Sequence, residues 1–161
     1  MSAPYKLLFL CTGNICRSPT ADAIFRHKIQ ERALEGRVEC DSAGTHGYHI
    51  GNPPDNRSMS TASEKGVDMS ELRARRIEQS DFYDFDLILA MDDGHMRHLQ
   101  EIAPADRTAN LAMFLDFTSG VPDKNVPDPY YGAHSGFEHV FDLIDRGVDG
   151  LFEYLGQKVL I

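Results

Sequence analysis

The sequence predicts an α/β domain with a four-stranded parallel sheet flanked by helices on both faces. Three observations carry that prediction. The strand candidates are continuous apolar runs, as in strands buried on both faces, and not the alternating pattern of a half-exposed sheet. Strand and helix patterns alternate along the chain. The 161 residues, 42% apolar and 25% charged, suffice for one domain with a core of its own, spanning residues 1–161.

The first strand is the run Leu7-Leu8-Phe9-Leu10, ending at Cys11. After a loop, Ser18 and Pro19 suit the N-cap and first position of a helix. Ala21, Phe25, Ile29 and Ala33 repeat every four residues along one helical face, and Gly36 marks its end. Residues 38–43 read as a second strand and 44–54 as a loop. A helix over 57–65 is closed by Gly66. Leu87-Ile88-Leu89-Ala90-Met91 is a third buried strand. Asp92 and Asp93 can cap the helix after it, whose Met96, Leu99 and Ile102 share a face. Residues 110–115 read as the fourth strand. Residues 120–136, rich in Pro, Gly, Asp and Tyr, form a long loop of the kind that usually carries function. A last helix places Phe137, Val140, Phe141, Ile144, Val148, Leu151, Phe152 and Leu155 on one face. Parallel sheets bind ligands at the carboxyl ends of their strands. Cys11, Ser42 and Asp92 all lie at such ends and are expected to converge.

Composition narrows the function. A net charge of −9 argues against general binding to nucleic acid or anionic membrane, which select basic surfaces. Three cysteines suit a reducing cytoplasm better than a disulfide scaffold. The apolar run near the N-terminus is too short for a signal peptide or a membrane span.

The stretch Cys11-Thr12-Gly13-Asn14-Ile15-Cys16-Arg17-Ser18 joins the first strand to the first helix. Gly13 and Asn14 tolerate the positive φ that a curled loop needs. The main-chain N–H groups of residues 12–17 can then point inward as an anion nest, reinforced by the helix N-terminus. Arg17 adds a planar fork that matches two phosphate oxygens. The same groups favour Cys11 as a thiolate. The loop lacks the Gly-Lys-Ser/Thr ending of a nucleotide P-loop, and the chain has no GxGxxG motif. A buried cysteine at a strand end is usually inert. The surrounding Gly-Asn and Arg-Ser make this one a nucleophile at the floor of a tetrahedral-anion cradle.

These residues resemble the low-molecular-weight protein tyrosine phosphatases. That family's Cys-x5-Arg-Ser signature matches Cys11 through Ser18, and its late Asp-Pro-Tyr-Tyr motif matches Asp128-Pro129-Tyr130-Tyr131. The likeness covers nearly the whole chain. It implies metal-independent and cofactor-free hydrolysis of phosphotyrosine or small aryl phosphates. Cys11 would form a cysteinyl phosphate, Arg17 would hold the equatorial oxygens, and Asp128 would act as general acid and then base. Thr12, Gly13, Asn14, Ile15, Cys16 and Ser18 would form the phosphate loop. Ser18 would bond the Cys11 sulfur, and Asn14 with Ser42 would hold the loop in shape. Tyr48, Tyr130 and Tyr131 would wall the slot for an aromatic ring. Cys16 would cap Cys11 reversibly as a disulfide, while Cys40 reads as core. Asp92 is most simply a helix cap, with support of the site a lesser role.

The implied partner is a phosphotyrosine-bearing protein or small aryl phosphate, with no nucleic acid and no membrane, and the chain is expected to act as a monomer. The main alternative is a protein arginine phosphatase, a branch with Thr where this chain has the bulkier Ile15. Thioredoxin-dependent arsenate reductases need further cysteines, and none follows Cys40. A haloacid-dehalogenase phosphatase needs an Asp-x-Asp at a strand end. A metal site from His46, His49, His95 and His98 lacks ligand spacing, so these read as solvated side chains. A non-enzymatic phosphopeptide-binding module would need neither Cys11 nor Asp128. One departure stands out: the 70–73 stretch Ser-Glu-Leu-Arg lacks the histidine that bonds the loop asparagine in many members. Acidity around the cleft is expected to favour substrates with basic or neutral flanks.

Overall fold

The strands β1 (Tyr5–Cys11), β2 (Val38–Gly44), β3 (Leu87–Ala90) and β4 (Asn110–Met113) form one sheet. They run parallel throughout, in the spatial order β2–β1–β3–β4. The helices are α1 (Arg17–Glu31), α2 (Asn56–Glu64), α3 (Asp81–Asp84), α4 (Asp93–Ile102) and α5 (His134–Lys158). The computed structural model describes residues 3–130 and 134–158.

The pleat explains why β1 is apolar without interruption. Leu7, Phe9 and Cys11 face a core built with α1 and α5. Leu8 and Leu10 face a second core containing Phe82, Phe85 and Leu99. Alternate side chains thus enter different cores, and neither face is left for water. In the first core Phe25 of α1 stacks on Phe152 of α5 at 4.5 Å between ring centroids, and Phe9 meets Phe114 edge-on at 5.8 Å. Gly147 makes the approach of α5 possible, because a Cβ there would stand 2.3 Å from the Phe114 ring.

Register sets the site. Cys11 pairs with Gly44 and Leu10 with Ala90, so three carboxyl ends lie level. The chain leaves β1 toward β2, then crosses to β3 on the other side. This reversal opens a crevice between the loops after β1 and β3.

Several local expectations are corrected. Helix α1 begins at Arg17 with Cys16 as its N-cap and no side-chain cap. Ser18 therefore lies inside the first turn, and its hydroxyl is used elsewhere. The helix stops at Glu31, and Ala33 is exposed with φ 53°, so it does not join the apolar face. Strand β4 ends at Met113, where a 3-10 turn (Phe114–Phe117) takes over. Asp116 drives that change by accepting the Met113 N–H at 3.0 Å. Helix α3 was not expected, because four residues carry no helical period. Among the described residues no helix is long and apolar enough to cross a membrane.

Candidate active site

The loop after β1 curls around Asn14, whose φ of 59° places it in the left-handed region. Asparagine tolerates this conformation. Gly13 does not have positive φ, contrary to expectation. Its smallness serves space instead, since a Cβ there would lie 2.9 Å from the His49 ring. Among the described residues, the main-chain amides from Thr12 to Cys16 donate to no backbone carbonyl. That leaves them free to bond an anion.

Three bonds lock the curl. The Asn14 side-chain oxygen accepts the Arg75 main-chain N–H at 2.9 Å. Its Nδ2 then donates to the hydroxyls of Ser18 and Ser42, at 2.8 and 2.9 Å. Ser18 Oγ, having accepted from Asn14, can direct its own proton to Cys11 Sγ at 2.9 Å. The Arg75 amide stands in for the histidine missing from the 70–73 stretch. Its own side chain is pinned by Asp41 at 3.2 Å and by both oxygens of Asp81 at 3.0 and 3.1 Å. A sequence could not show this, because a main-chain donor has no residue signature.

Arg17 is buried and its guanidinium is held from several sides. Nη1 donates to Asp92 Oδ2 at 2.8 Å and to the Val126 carbonyl at 3.0 Å. Nη2 lies 3.6 Å from Asp128 Oδ2. Asp92 holds both roles suggested for it. One oxygen caps α4 through the His95 N–H at 2.9 Å and the other anchors Arg17. Burial pushes its carboxyl up, but the His95 amide and Arg17 outweigh that and hold it below the usual carboxylate range.

His95 is a residue that sequence reasoning missed. It is buried, not solvated. Its Nε2 lies 2.9 Å from Thr12 Oγ1 and 3.4 Å from Arg17 Nη2, and its Nδ1 accepts the Asp92 N–H at 3.2 Å. Burial, and then the Arg17 charge, push its pKa down to about 4. The ring is therefore neutral near pH 7. The signal present in the sequence was its position three residues after Asp92, where a capping box closes.

Cys11, Thr12, Gly13, Ile15, Cys16, Arg17, Tyr48, His49, Asp128 and Tyr130 line one pocket of about 340 Å³. His49, expected in solvent, is thus part of the wall. Tyr48 is 71% exposed and stacks on His46 at 5.1 Å, so it flanks the mouth. Tyr130 lies under the Arg57 guanidinium at 5.5 Å. Tyr131 lies outside the described residues. Asp128 Oδ1 accepts the Tyr130 N–H at 3.0 Å, so the carboxylate is a turn residue while its other oxygen faces Arg17. The pocket wall carries one carboxylate, Asp128, beside the Arg17 guanidinium and the His49 ring.

Burial, followed by the nearby Asp55 carboxylate, pushes the Cys16 thiol up to about 12. Cys40 is buried as expected but is not without a partner, since its thiol donates to Asp22 Oδ1 at 3.2 Å. Among the described residues no three His, Cys, Asp or Glu side chains are grouped to hold a metal.

Residues 6–160 match the family described as low molecular weight phosphotyrosine protein phosphatase. The chain belongs to that family. It is 42% identical over 141 residues to the human low molecular weight phosphotyrosine protein phosphatase, covering 86% of this chain and 88% of the human one. The crystal structure of YfkJ from Bacillus subtilis superposes with a TM-score of 0.92 at 37% identity, over 98% of each chain. The crystal structure of a Drosophila arginine phosphatase superposes with a TM-score of 0.87 at 29% identity, over 92% of this chain and 96% of that one. The fold therefore houses both phosphatase types, and the choice between them rests on the walls of the site.

Proposed function

We propose that this chain hydrolyses phosphotyrosine, in proteins or as small aryl phosphates, through a cysteinyl phosphate at Cys11. The observation that carries this reading is the meeting of Cys11, Arg17 and Asp128 in one pocket beneath a ring of unused loop amides. Cys11 sulfur attacks phosphorus while the bond to the phenolic oxygen breaks. Asp128 gives its proton to that oxygen. Water then attacks phosphorus, Asp128 takes the water's proton, the S–P bond breaks and inorganic phosphate leaves. Arg17 and the loop amides carry the oxygen charge in both transition states. Ser18 donates to the sulfur as it becomes a leaving group.

Ile15 favours an aromatic ester over phosphoarginine. It lines the pocket and is nearly buried, and it offers carbon surface with no hydroxyl for a guanidinium. Cys16 lines the same pocket, which supports redox protection. Peroxide oxidises Cys11 to the sulfenic acid, and the Cys16 thiol then condenses with it, forming a disulfide and releasing water. A thiol reductant restores both. The three free cysteines support a reducing, cytoplasmic setting.

The test is hydrolysis of p-nitrophenyl phosphate without added metal. Cys11→Ser is expected to be inactive, and Asp128→Ala to lose roughly 2–4 orders of magnitude in kcat. Full activity in Cys11→Ser overturns the mechanism. Faster turnover of phosphoarginine than of phosphotyrosine moves the chain to the arginine branch.

A further inference from the structure

Thr12 Oγ1 sits between two nitrogen donors. His95 Nε2 lies 2.9 Å from it and Arg17 Nη2 lies 3.5 Å from it. The direction of the shorter bond can be worked out. Both ring nitrogens face an N–H, Nδ1 that of Asp92 at 3.2 Å and Nε2 that of Arg17 at 3.4 Å, and the shorter contact takes the lone pair, so Nδ1 carries no proton. A neutral ring then keeps its single proton on Nε2, which points it at the threonine. The threonine oxygen is therefore the acceptor from both neighbours, and its own proton must go elsewhere. Among the described residues Thr12 Oγ1 makes no bond to a carbonyl or carboxylate oxygen. Thr12 follows the nucleophile directly and lines the catalytic pocket.

We infer that the Thr12 hydroxyl donates a hydrogen bond to a non-bridging phosphoryl oxygen of the substrate, and that His95 is the positioning residue that aims it. A hydroxyl that already accepts from an N–H is a stronger donor to an anion. Its bond adds to the ring of loop amides on the side nearest α4. The inference deepens the phosphotyrosine reading and rests on it.

Four single variants and one double variant test it, read by kcat/KM on p-nitrophenyl phosphate and by inhibition with inorganic phosphate. Thr12→Val keeps the shape and removes the donor. It is expected to lower kcat/KM about 10- to 100-fold, the scale of a hydrogen bond to a charged group, and to weaken phosphate inhibition. Thr12→Ser keeps the hydroxyl and is expected to stay within about threefold of the parent. His95→Asn keeps an acceptor for the Asp92 N–H but cannot reach Thr12, and is expected to resemble Thr12→Val. His95→Gln places an N–H near the old Nε2 and is expected to recover most of the loss. Adding His95→Asn to Thr12→Val is expected to cost little more, because the two act through one proton. If Thr12→Val does not fold, Thr12→Ala is read in its place.

Parental kcat/KM and phosphate inhibition in Thr12→Val would overturn the inference. So would fully additive losses in the double variant. Should Thr12→Val instead shift only the pH limb assigned to Asp128, the proton goes to that carboxylate and the inference fails. An active Cys11→Ser variant would mean the phosphatase reading has failed. An inactive Cys11→Ser beside a normal Thr12→Val condemns this inference alone.

Discussion

Asp92→Asn separates two jobs that one carboxylate performs. Asparagine is a good N-cap, so the cap of α4 through the His95 N–H survives. What disappears is the charge 2.8 Å from Arg17. At an effective dielectric of about 20 that contact is worth roughly 6 kcal/mol before desolvation is counted. The Arg17 side chain is 3% exposed and that of Asp92 29%, so water screens the pair from one side only. Arg17 also keeps the Val126 carbonyl and the more distant Asp128. Breaking a fully buried pair costs about 3–5 kcal/mol. Discounting for exposure and for the surviving partners gives about 1.5–3 kcal/mol. The site feels this as loss of guanidinium orientation, so kcat/KM is expected to fall about 10- to 100-fold. Asp92→Ala also removes the cap and is expected to cost about 1 kcal/mol more in stability. Steady-state hydrolysis of p-nitrophenyl phosphate and urea unfolding measure the two effects. Parental kcat/KM in Asp92→Asn, with equal stability in the two variants, refutes the reasoning. The carboxyl is held below its usual range. Its contribution is therefore full above about pH 4 and is lost as pH falls through the folded-state value.

His95 predicts a loss of stability at milder acidity. An unfolded histidine binds a proton near pH 6.5, but the folded ring does so only near 4. Arg17, Asp92, Asp128 and His46 are the charged or titratable groups that face it. Between those values the unfolded state holds more protons, so stability falls as pH drops through this window, by about 3 kcal/mol in all. Chemical denaturation at several pH values should show this, and a profile unchanged in His95→Gln would contradict it. Gly147→Ala drives a methyl into the Phe114 ring and is expected to cost about 1–3 kcal/mol by overpacking. An unchanged melting temperature would mean that α5 can move away at no cost. Brief peroxide treatment followed by a thiol reductant is expected to restore the parent enzyme fully and Cys16→Ser only in part. Equal recovery of the two would remove Cys16 from a protective role.

Much of the architecture was legible because burial on both faces writes itself into composition. The continuous apolar runs of β1 and β3 follow directly from two cores sharing one sheet. Asn56–Glu64 and His134–Lys158 showed themselves through a glycine stop and a 3.6-residue period. Element ends were less visible. Ser18 looked like a cap, but its hydroxyl is taken by Cys11 and Asn14. Fourth-strand pairing ends early because Asp116 captures the Met113 amide, a competition between two local bonds that no periodicity records.

The chemistry of the cradle is written in one short stretch of chain. Cys11, Asn14, Arg17 and Ser18 lie within eight consecutive residues, so local geometry alone can curl them around an anion. Asp128 was also legible, through the short motif around it. Tertiary structure decided what holds these groups in place. Arg75, Asp81, Asp92, His95 and the Val126 carbonyl come from distant segments that meet only when β2 and β3 pair with β1 and Arg76 bridges to Gly44. Their bonds depend on main-chain atoms and on burial, and neither leaves a mark in a linear string of side chains. The same burial turned His95 from an ordinary surface histidine into a neutral ring beside Arg17.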